Sequence, residues 1–296
     1  MATRVPVILN PTAGGGRLLR GRPELDARAG SLGLDLEWCP TRERGHATEL
    51  AAGFAAQGRN LVLAFGGDGT YNEVARGLLG SGTAMGILPG GTTSVLAYEL
   101  GVPRPAPDAL DALVSGHDRA MRVGRTSHGD VVLLMLSAGP DAMVLDRLRP
   151  GLKRLGGRIG VGLQAVMEAL RPKRLPRLRL RLDDRELSAG WAIIGKSACY
   201  AGPYHATPAA DPFADRFEAV VLTRAKRGAV VPFALGIPAG RHVRRRDVLR
   251  FEVDRVGLEP EAGAGPVPYQ IDGDVAGHLP VEVWVDPEPL VLRLPG

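Results

Sequence analysis

Hydrophobic and polar positions follow two different periods in the first hundred residues of the chain. Short apolar runs at residues 5–9, 61–65 and 84–88 predict buried strands, and alternating apolar positions at residues 34–38 predict a fourth. From residue 47 to residue 54 apolar side chains recur at i, i+3, i+4 and i+7, which predicts an amphipathic helix. Strands that alternate with helices through short Gly-rich loops favour a parallel sheet covered on both faces.

The pattern changes after the Pro-rich residues 103–107 and a predicted helix at residues 108–115. Strand-like runs then dominate, at residues 131–136, 178–182, 191–194, 217–222, 248–253 and 281–285. Only two helical segments, at about residues 152–170 and 229–237, interrupt them. We therefore predict an α/β domain over residues 1–120 and a mostly antiparallel β domain over residues 121–296. This division allows the last residues of the chain to pack against the first domain.

Composition narrows the class of protein. Of the 296 residues, 45% are apolar and 23% are charged, which excludes a disordered tail, a collagen-like rod and a heptad coiled coil. Two cysteines, Cys39 and Cys199, exclude a disulfide scaffold. The longest apolar run is far shorter than the ~20 residues that span a bilayer, and the first ten residues lack a secretory signal pattern. We therefore expect a cytoplasmic protein.

Three of the predicted strands run into loops that are rich in Gly and Thr, at residues 10–16, 66–73 and 89–93. In an open parallel sheet such loops meet at the carboxyl edge of the strands, where ligands bind. Gly lets backbone amides approach phosphate oxygens, and helix N-termini favour the anion. Each loop alone reads as an ordinary turn between strand and helix. Three on one edge, with Asp68 inside the central loop, favour a phosphate site.

A different segment imitates a phosphate-binding loop. Residues 190–197, GWAIIGKS, fit the G-x-x-x-x-G-K-[ST] pattern letter for letter. Its four intervening residues are bulky and apolar, and the residues that follow cannot form the required helix. We interpret the segment as a strand and the match as chance. The dinucleotide pattern G-x-G-x-x-G is absent from the three Gly-rich loops, which disfavours a dehydrogenase.

The central loop, GGDGTYNEV at residues 66–74, resembles the signature of the diacylglycerol kinase catalytic family, which includes bacterial lipid kinases and the sphingosine and ceramide kinases. The resemblance covers most of the chain. It includes NPTAG at residues 10–14, Thr41 followed by GHA at 45–47, LPGGT at 88–92 and QIDGD at 270–274. The G-G-D-G-T element alone also occurs in NAD kinases, whereas the ordered set is much more specific.

The resemblance implies an α/β domain like those of NAD kinases and phosphofructokinases, a C-terminal β-sandwich, and ATP in the cleft between them. The family match assigns ATP contacts to Asn10, Thr12, Gly14, Thr41, Gly66, Gly67, Asp68, Gly69, Thr70, Asn72, Gly91 and Thr92. Asp68 would hold Mg²⁺ against the phosphates, and Asp272 or Asp274 would accept the proton of the substrate hydroxyl. The spacing of those two carboxylates does not choose between them.

Two further features follow from the same resemblance. The family carries a structural Mg²⁺ in the second domain, held by an aspartate and nearby backbone carbonyls. Asp215 lies where that aspartate belongs, although Arg216 replaces the usual Gly. In the third loop many members read G-T-x-N-D, whereas this chain has Ser94 and Val95 at the last two positions. That difference leaves the identity of the substrate open and assigns a larger share of the metal binding to Asp68.

Two basic segments bear on access to a lipid. Residues 171–182 carry six basic side chains, with Arg and Leu alternating from Arg177 onward, and residues 241–246 carry four more arginines. Such faces hold anionic headgroups, or equally serve as solvated strand faces that prevent edge pairing. The net charge of +5 selects neither. An aromatic content of 5% and the lack of a recognition motif disfavour nucleic acid.

These observations lead to one principal expectation and two alternatives. We expect an ATP- and Mg²⁺-dependent kinase that phosphorylates a lipid hydroxyl at the membrane surface, most simply diacylglycerol to phosphatidic acid in phospholipid biosynthesis. The enzyme would be cytoplasmic and peripherally associated with the membrane, and a homodimer is compatible with the sequence. The alternatives are a NAD-kinase-like or other small-molecule phosphotransferase, and a catalytically silent protein that binds nucleotide and lipid.

Overall fold

The computed structural model describes residues 2–91, 93–147, 175–183 and 185–296 of the chain. The chain divides into two units. The first consists of Met1–Val123 and Asp286–Gly296, and the second of Gly124–Val285. The domain limits expected from the sequence, 1–120 and 121–296, stay a prediction.

A parallel sheet forms the centre of the first unit. Strands β1 (Thr3–Leu9), β2 (Leu34–Pro40), β3 (Leu61–Gly66) and β4 (Ala84–Pro89) lie in the order β2-β1-β3-β4, and every neighbouring pair is parallel. The C-terminal part of the long strand β18 (Val281–Leu294) adds a further parallel strand beside β4. The α/β architecture predicted for the N-terminal part is confirmed.

Five helices connect and cover these strands: α1 (Arg17–Ser31), α2 (His46–Ala56), α3 (Asp68–Leu78), α4 (Val95–Glu99) and α5 (Ala106–Val114). Helix α2 buries Ala47, Ala51 and Phe54, the side chains whose spacing predicts it. The pattern did not predict α1, which buries only three side chains over its 15 residues and contains Pro23. Its weak apolar periodicity explains why it was missed.

The second unit is built from antiparallel strands. The described strands after β4 are β5 (His117–Thr126), β6 (Val131–Val132), β7 (Met135–Ala138), β8 (Leu178–Leu182), β9 (Arg185–Ala189), β10 (Trp191–Gly195), β11 (Cys199–Tyr200), β12 (Tyr204–His205), β13 (Phe217–Leu222), β14 (Val248–Val253), β15 (Arg255–Pro260), β16 (Pro268–Ile271) and β17 (Asp274–His278). Six form a sheet in the order β14-β13-β10-β7-β16-β17. A second antiparallel set runs β9-β8-β15 and ends on the N-terminal part of β18.

Alternate residues of these two sheets meet in one apolar core. From the smaller set come the leucines at 178, 180 and 182, whose arginine neighbours point to the opposite face. They join Ala192 and Ile194 of β10 and Ala219 and Val221 of β13. The β-sandwich implied by the family resemblance is therefore confirmed.

The other face of the six-stranded sheet packs against helix α7 (Arg227–Gly236), which lies close to the predicted helix at 229–237. Phe233 of α7 contacts Trp191, with ring centroids 5.0 Å apart. A short helix that was not predicted, α6 (Pro140–Asp146), follows β7. The predicted helix at residues 152–170 lies outside the described residues. No helix within the described ranges is long and apolar enough to cross a bilayer.

Candidate functional site

The three Gly-rich loops leave the carboxyl ends of neighbouring parallel strands in the first unit. Asn10 follows β1, Gly67 follows β3, and Gly90 follows β4. The amides of Gly90 and Gly91 both donate to the carbonyl of Gly66 at 2.8 Å. The amide of Asn10 donates to the carbonyl of Phe65 at 3.1 Å. The predicted loops are therefore adjacent at one edge of the sheet.

Glycine is required where these loops touch. A Cβ added to Gly14, which has a φ of +60°, would lie 2.6 Å from the carbonyl oxygen of Gly90. A Cβ added to Gly91 would lie 2.7 Å from the Cα of Gly67. Backbone therefore packs on backbone between the loops. We call Gly14, Gly67, Gly90 and Gly91 the glycine cradle.

Side chains of the first and second loops are linked beside the glycine cradle. The Oδ1 of Asn10 accepts hydrogen bonds from the amide and the hydroxyl of Thr12, at 3.0 and 2.8 Å. Its Nδ2 donates to the Oγ1 of Thr70 at 3.4 Å. Three residues that the family match assigns to ATP therefore form one network. Asn10 orients both hydroxyls through the two ends of its amide.

Asp68 is the first residue of α3, and its carboxylate reaches the start of α4. The Oδ2 accepts from the amide of Val95 and the Oδ1 from the amide of Leu96, both at 2.9 Å. Asp68 thus caps a helix whose own preceding residue, Ser94, makes no capping bond and has a φ of +45°. Backbone amides therefore orient both oxygens of this carboxylate.

The remaining positions assigned to ATP are placed as follows. Gly69 and Asn72 lie within the first turns of α3, and Asn72 is half-buried. Thr41 follows β2, and its amide donates to the carbonyl of Leu9 at 2.8 Å, next to the first loop. Thr92 lies outside the described residues.

Tyr71 is a member of the loop signature to which the sequence assigned no role. Its buried hydroxyl donates to the carbonyl of Gly66 at 2.8 Å and lies 3.3 Å from the hydroxyl of Ser94. Burial raises the pKa of Tyr71 well above its ordinary value, with the Asp68 charge acting in the same direction. The neutral phenol therefore ties the second loop to the third.

In the second unit the carboxylate of Asp272 is bound by three backbone amides. Its Oδ1 accepts from Leu134 and Met135 at 2.8 and 3.0 Å, and its Oδ2 from Leu133 at 3.1 Å. These bonds explain why the predicted strand at 131–136 is split into β6 and β7, since the amides between them point to Asp272. The residue adopts a φ of +52°, which favours Asn, Asp or Gly.

Asp274 differs from Asp272 in its surroundings. It is exposed at the start of β17, on the other side of Gly273. The Oε1 of Gln270 accepts from the amide of Gly273 at 2.7 Å and fixes the turn. The QIDGD motif therefore contains one carboxylate that organises the loop and one that faces solvent.

A buried acid that the sequence reasoning missed lies next to this motif. The Oδ2 of Asp141 accepts from the hydroxyl of Tyr200 at 3.3 Å and from Gln270 at 3.4 Å. Burial raises the pKa of Asp141, and hydrogen bonds from Ser137 and Gln270 oppose that shift in part. Its only sequence signal is an acid in the first turn of α6, which occurs at many helix starts.

Lys196, the lysine of the false phosphate-binding loop, is completely buried after β10. Its ammonium donates to the carbonyls of Pro212 and Ala214, at 2.7 and 2.6 Å, and to that of Asp211 at 3.3 Å. Burial lowers the pKa of Lys196 to about 8, and the charges of Asp211 and Asp215 oppose the shift. The segment is a strand, as the sequence predicted.

This lysine bears directly on the Mg²⁺ site expected at Asp215. The carbonyls next to Asp215 accept hydrogen bonds from an internal cation, and Mg²⁺ needs free oxygen ligands in near-octahedral geometry. Within the ranges that the structure describes, no group of three or more His, Cys, Asp or Glu side chains converges on a metal position. The ammonium of Lys196 would share these carbonyls with an ion, and the Mg²⁺ site expected at Asp215 stays a prediction.

The two predicted basic segments differ in their charge environment. Arg181 of β8 forms a salt bridge with Glu259 at 2.9 Å, and Arg179 pairs with Glu259 across the strands. Arg181 also lies opposite Glu186. The alternating face is therefore largely neutralised, while its first residues, 171–174, lie outside the described part of the chain. Among the acids that the structure describes, only Asp247 forms a salt bridge with residues 241–246, to Arg245 at 2.8 Å.

Comparison with known proteins identifies the family. The model "Diacylglycerol kinase catalytic domain" matches residues 4–126, and "YegS C-terminal NAD kinase beta sandwich-like domain" matches residues 135–294. A diacylglycerol kinase of Mycobacterium tuberculosis is 27% identical over 98% of this chain and 95% of its own. A diacylglycerol kinase of Bacillus subtilis is 24% identical over 94% of this chain and 92% of its own.

Two solved Bacillus anthracis structures share the fold. One aligns with a TM-score of 0.81 at 21% identity, covering 98% of this chain and 95% of that one. The second, a diacylglycerol kinase, aligns with a TM-score of 0.72 at 19% identity and covers 98% and 96% of the two chains. Together the two family models span almost the whole sequence. The chain therefore belongs to the diacylglycerol kinase catalytic-domain family and is an enzyme of the lipid kinase class.

Proposed function

We propose that this enzyme transfers the γ-phosphate of ATP to a lipid hydroxyl, most simply that of diacylglycerol, which yields phosphatidic acid. The observation that carries the proposal is the glycine cradle, in which three loops meet without intervening side chains in a chain that belongs to a lipid kinase family. Curated relatives along the full length of the chain are named diacylglycerol kinase.

The glycine cradle suits the phosphates of a nucleotide. Phosphoryl transfer requires positioning and charge neutralisation, which closely spaced backbone amides provide at little reorganisation cost. The N-terminus of α3 begins at the same edge, where its dipole favours an anion. The hydroxyls of Thr12 and Thr70, oriented by Asn10, supply additional donors. These groups bind the phosphates, and Thr41 and Asn72 complete the nucleotide contacts.

Mg²⁺ is the cation that fits this chemistry, and when bound it would neutralise the charge that develops on the phosphates. We assign the metal-binding role to the carboxylate of Asp68, which begins α3 directly after Gly67 of the glycine cradle. Val95 stands where many family members carry a second acid, so Asp68 bears this role without a neighbouring carboxylate. Its bonds to the amides of Val95 and Leu96 hold the carboxylate in one orientation.

We assign the proton acceptor to Asp274. Three amides occupy the carboxylate of Asp272, whereas Asp274 is exposed and accessible to a hydroxyl. A general base must come within hydrogen-bonding reach of the proton it removes, and the amide-bound Asp272 is the less available of the two. Asp272 then acts as a positioning residue that shapes the turn in which Asp274 lies.

The test is phosphate transfer from γ-labelled ATP to dioctanoylglycerol with Mg²⁺. We expect labelled phosphatidic acid from the wild type and a loss of about a hundredfold or more in Asp274→Asn. Asp254→Asn, which changes another exposed aspartate of the second unit, is the matched control and should retain activity. Label in a water-soluble acceptor would support a small-molecule phosphotransferase. ATP binding without any phosphate transfer would support a catalytically silent protein that binds nucleotide and lipid.

A further inference from the structure

One segment of the second unit concentrates positive charge. Residues 224–246 contain seven Lys and Arg and no Asp or Glu. The net charge of the whole chain is +5, so the rest of the chain carries a net charge of −2. These 23 residues, which include helix α7 and the turn after it, therefore form one of the two strongly basic segments of the chain.

Helix α7 has two apolar faces. Ala229, Val230 and Phe233 pack on the six-stranded sheet and are buried. The opposite face is exposed, and from residue 228 to residue 236 it carries no polar side chain. Val231 is 39% exposed and Leu235, one turn further on, is 75% exposed, the largest exposure among the large apolar residues that the structure describes. Moving these side chains from water into an apolar environment is favourable. Their exposure therefore points to an apolar surface that covers them.

Cations lie at both ends of this apolar face. Lys226 precedes the helix and Arg227 begins it, with no acid in the first turn. The helix dipole disfavours cations at this end, and a bound anion removes that conflict. At the other end the amide of Arg241 donates to the carbonyl of Gly236 at 2.9 Å, which places the exposed Arg241 and Arg244 next to the end of the helix.

We propose that this surface docks the enzyme on an anionic phospholipid bilayer. The outer face of α7, with Val231 and Leu235, enters the boundary between headgroups and acyl chains. Lys226, Arg227, Arg241 and Arg244 contact the phosphates of the headgroups. We call these six residues the docking face. The inference rests on the proposed function, because a kinase for a membrane lipid has to reach its acceptor at the bilayer.

The chemistry of the surface favours a bilayer as its occupant. Interfacial helices combine an exposed apolar face with Lys and Arg beside it, and their affinity rises with buried apolar area and with the anionic charge of the lipid. The other basic face, on β8, lacks this combination. Arg181 forms a salt bridge with Glu259 and lies opposite Glu186, and the leucines of this strand are in the core. It therefore provides matched control positions.

The test is co-sedimentation of the full-length protein with vesicles of phosphatidylcholine alone, or of phosphatidylcholine mixed with phosphatidylglycerol. We expect the wild type to bind only the anionic vesicles, and the more weakly as salt rises. Leu235→Gln should lower the partition coefficient about tenfold. Arg241→Gln and Arg244→Gln should each lower it about fivefold. Leu19→Gln, at a position 44% exposed in the first unit, and Arg179→Gln on β8 should not change it.

Several outcomes would overturn the proposal. Undiminished vesicle binding by Leu235→Gln and by the arginine variants would place the membrane contact elsewhere. A wild-type dimer in light scattering that Leu235→Gln converts to a monomer would show that a second copy covers α7. Binding of poly-glutamate without vesicle binding would indicate an acidic protein partner. Unfolding midpoints within error of the wild type are expected for all these exposed positions, so loss of folding is monitored separately.

The failure of docking and the failure of the kinase function give different results. Transfer to dioctanoylglycerol in neutral detergent micelles tests the chemistry without a bilayer. If the wild type binds anionic vesicles but transfers no phosphate, the proposed kinase function is wrong and the docking proposal is still supported. If it transfers phosphate and no variant changes vesicle binding, only the docking face fails. If both hold, Leu235→Gln should lose more activity on vesicle-borne substrate than on micelles.

Discussion

The carboxylate of Asp68 accepts a 2.9 Å hydrogen bond from the amide of Val95, which lies 27 residues further along the chain. Together with the bond from Leu96, it fastens the start of α3 to the start of α4. The candidate metal ligand is therefore also the cap of a neighbouring helix. Binding chemistry and stability depend on the same two oxygen atoms.

Replacing Asp68 should therefore impair two properties at once. Asp68→Ala leaves the amides of Val95 and Leu96 without an acceptor, and we expect it to lower the free energy of unfolding by about 1–3 kcal/mol. Phosphate transfer should also fall, because the Mg²⁺ ligand is lost. Urea unfolding and the transfer assay measure the two effects separately. An Ala variant of unchanged stability would contradict the capping role, whatever its activity.

The loops of the glycine cradle leave no space for a side chain at Gly91. Gly91→Ala places a Cβ 2.7 Å from the Cα of Gly67, so one loop has to move. We expect a loss of about 1–3 kcal/mol in stability and of about tenfold in ATP affinity by calorimetry. Gly53→Ala is the control, because a Cβ there meets nothing within 4 Å inside α2. It should stabilise the protein by about 0.5–1 kcal/mol. Equal ATP affinity in both variants would argue against phosphate binding in the cradle.

The buried ammonium of Lys196 leads to a prediction about metal dependence. Lys196→Met removes the donor to the carbonyls of Pro212 and Ala214, and we expect a loss of about 1–3 kcal/mol in the free energy of unfolding. If the ammonium takes the place of an ion, the thermal midpoint of the wild type should be the same with EDTA as with Mg²⁺ in the absence of nucleotide. A wild-type midpoint that Mg²⁺ raises would instead support the structural ion expected at Asp215.

His242 should make the stability of the protein depend on pH. The side chain is completely buried, its Nε2 lies 2.9 Å from the carbonyl of Ala206, and burial lowers its pKa. In the unfolded chain a histidine has a pKa of about 6.5, so the unfolded state binds the proton more readily. Stability contributed by neutral His242 is thus complete above that pKa and is lost as the pH falls toward the lower folded-state pKa.

The measurement is the free energy of unfolding from about pH 7.5 to about pH 5.5, above the range in which most carboxylates titrate. We expect the wild type to lose stability with a slope of up to about 1.4 kcal/mol per pH unit. His242→Gln, which cannot take up this proton, should lack that part of the slope. Parallel curves for the two proteins would assign the pH dependence to other groups.

The sequence predicted features that depend on neighbouring residues and missed those that depend on long-range contacts. Gly-rich loops after β1, β3 and β4 follow from a local pattern of strand, glycine and helix, and the structure brings the three loops together. The capping of α4 by Asp68 joins two residues that are 27 positions apart, and no local sequence pattern relates them. The same is true of Asp141, whose partners Tyr200 and Gln270 are 59 and 129 residues away.

Two carboxylates in one motif show the same limit. Asp272 and Asp274 are chemically identical in the sequence, and only the loop at residues 133–135 distinguishes them, by giving its amides to Asp272. Lys196 is a similar case, because its letters match a phosphate loop while its ammonium binds carbonyls. In both cases the role of the side chain depends on the backbone amides or carbonyls that the fold places beside it.

Strand β18 has a consequence for how the chain is made. Val291 pairs with Ala84 in the parallel sheet of the first unit, and the amide of Gly296 donates to the carbonyl of Ala112. During synthesis on the ribosome the first four strands emerge long before this fifth one. The edge of β4 in the nascent first unit therefore stays unpaired until the residues between β4 and β18 have been translated. Such an edge is a site for incorrect pairing, so the lifetime of that intermediate is set by the rate of elongation.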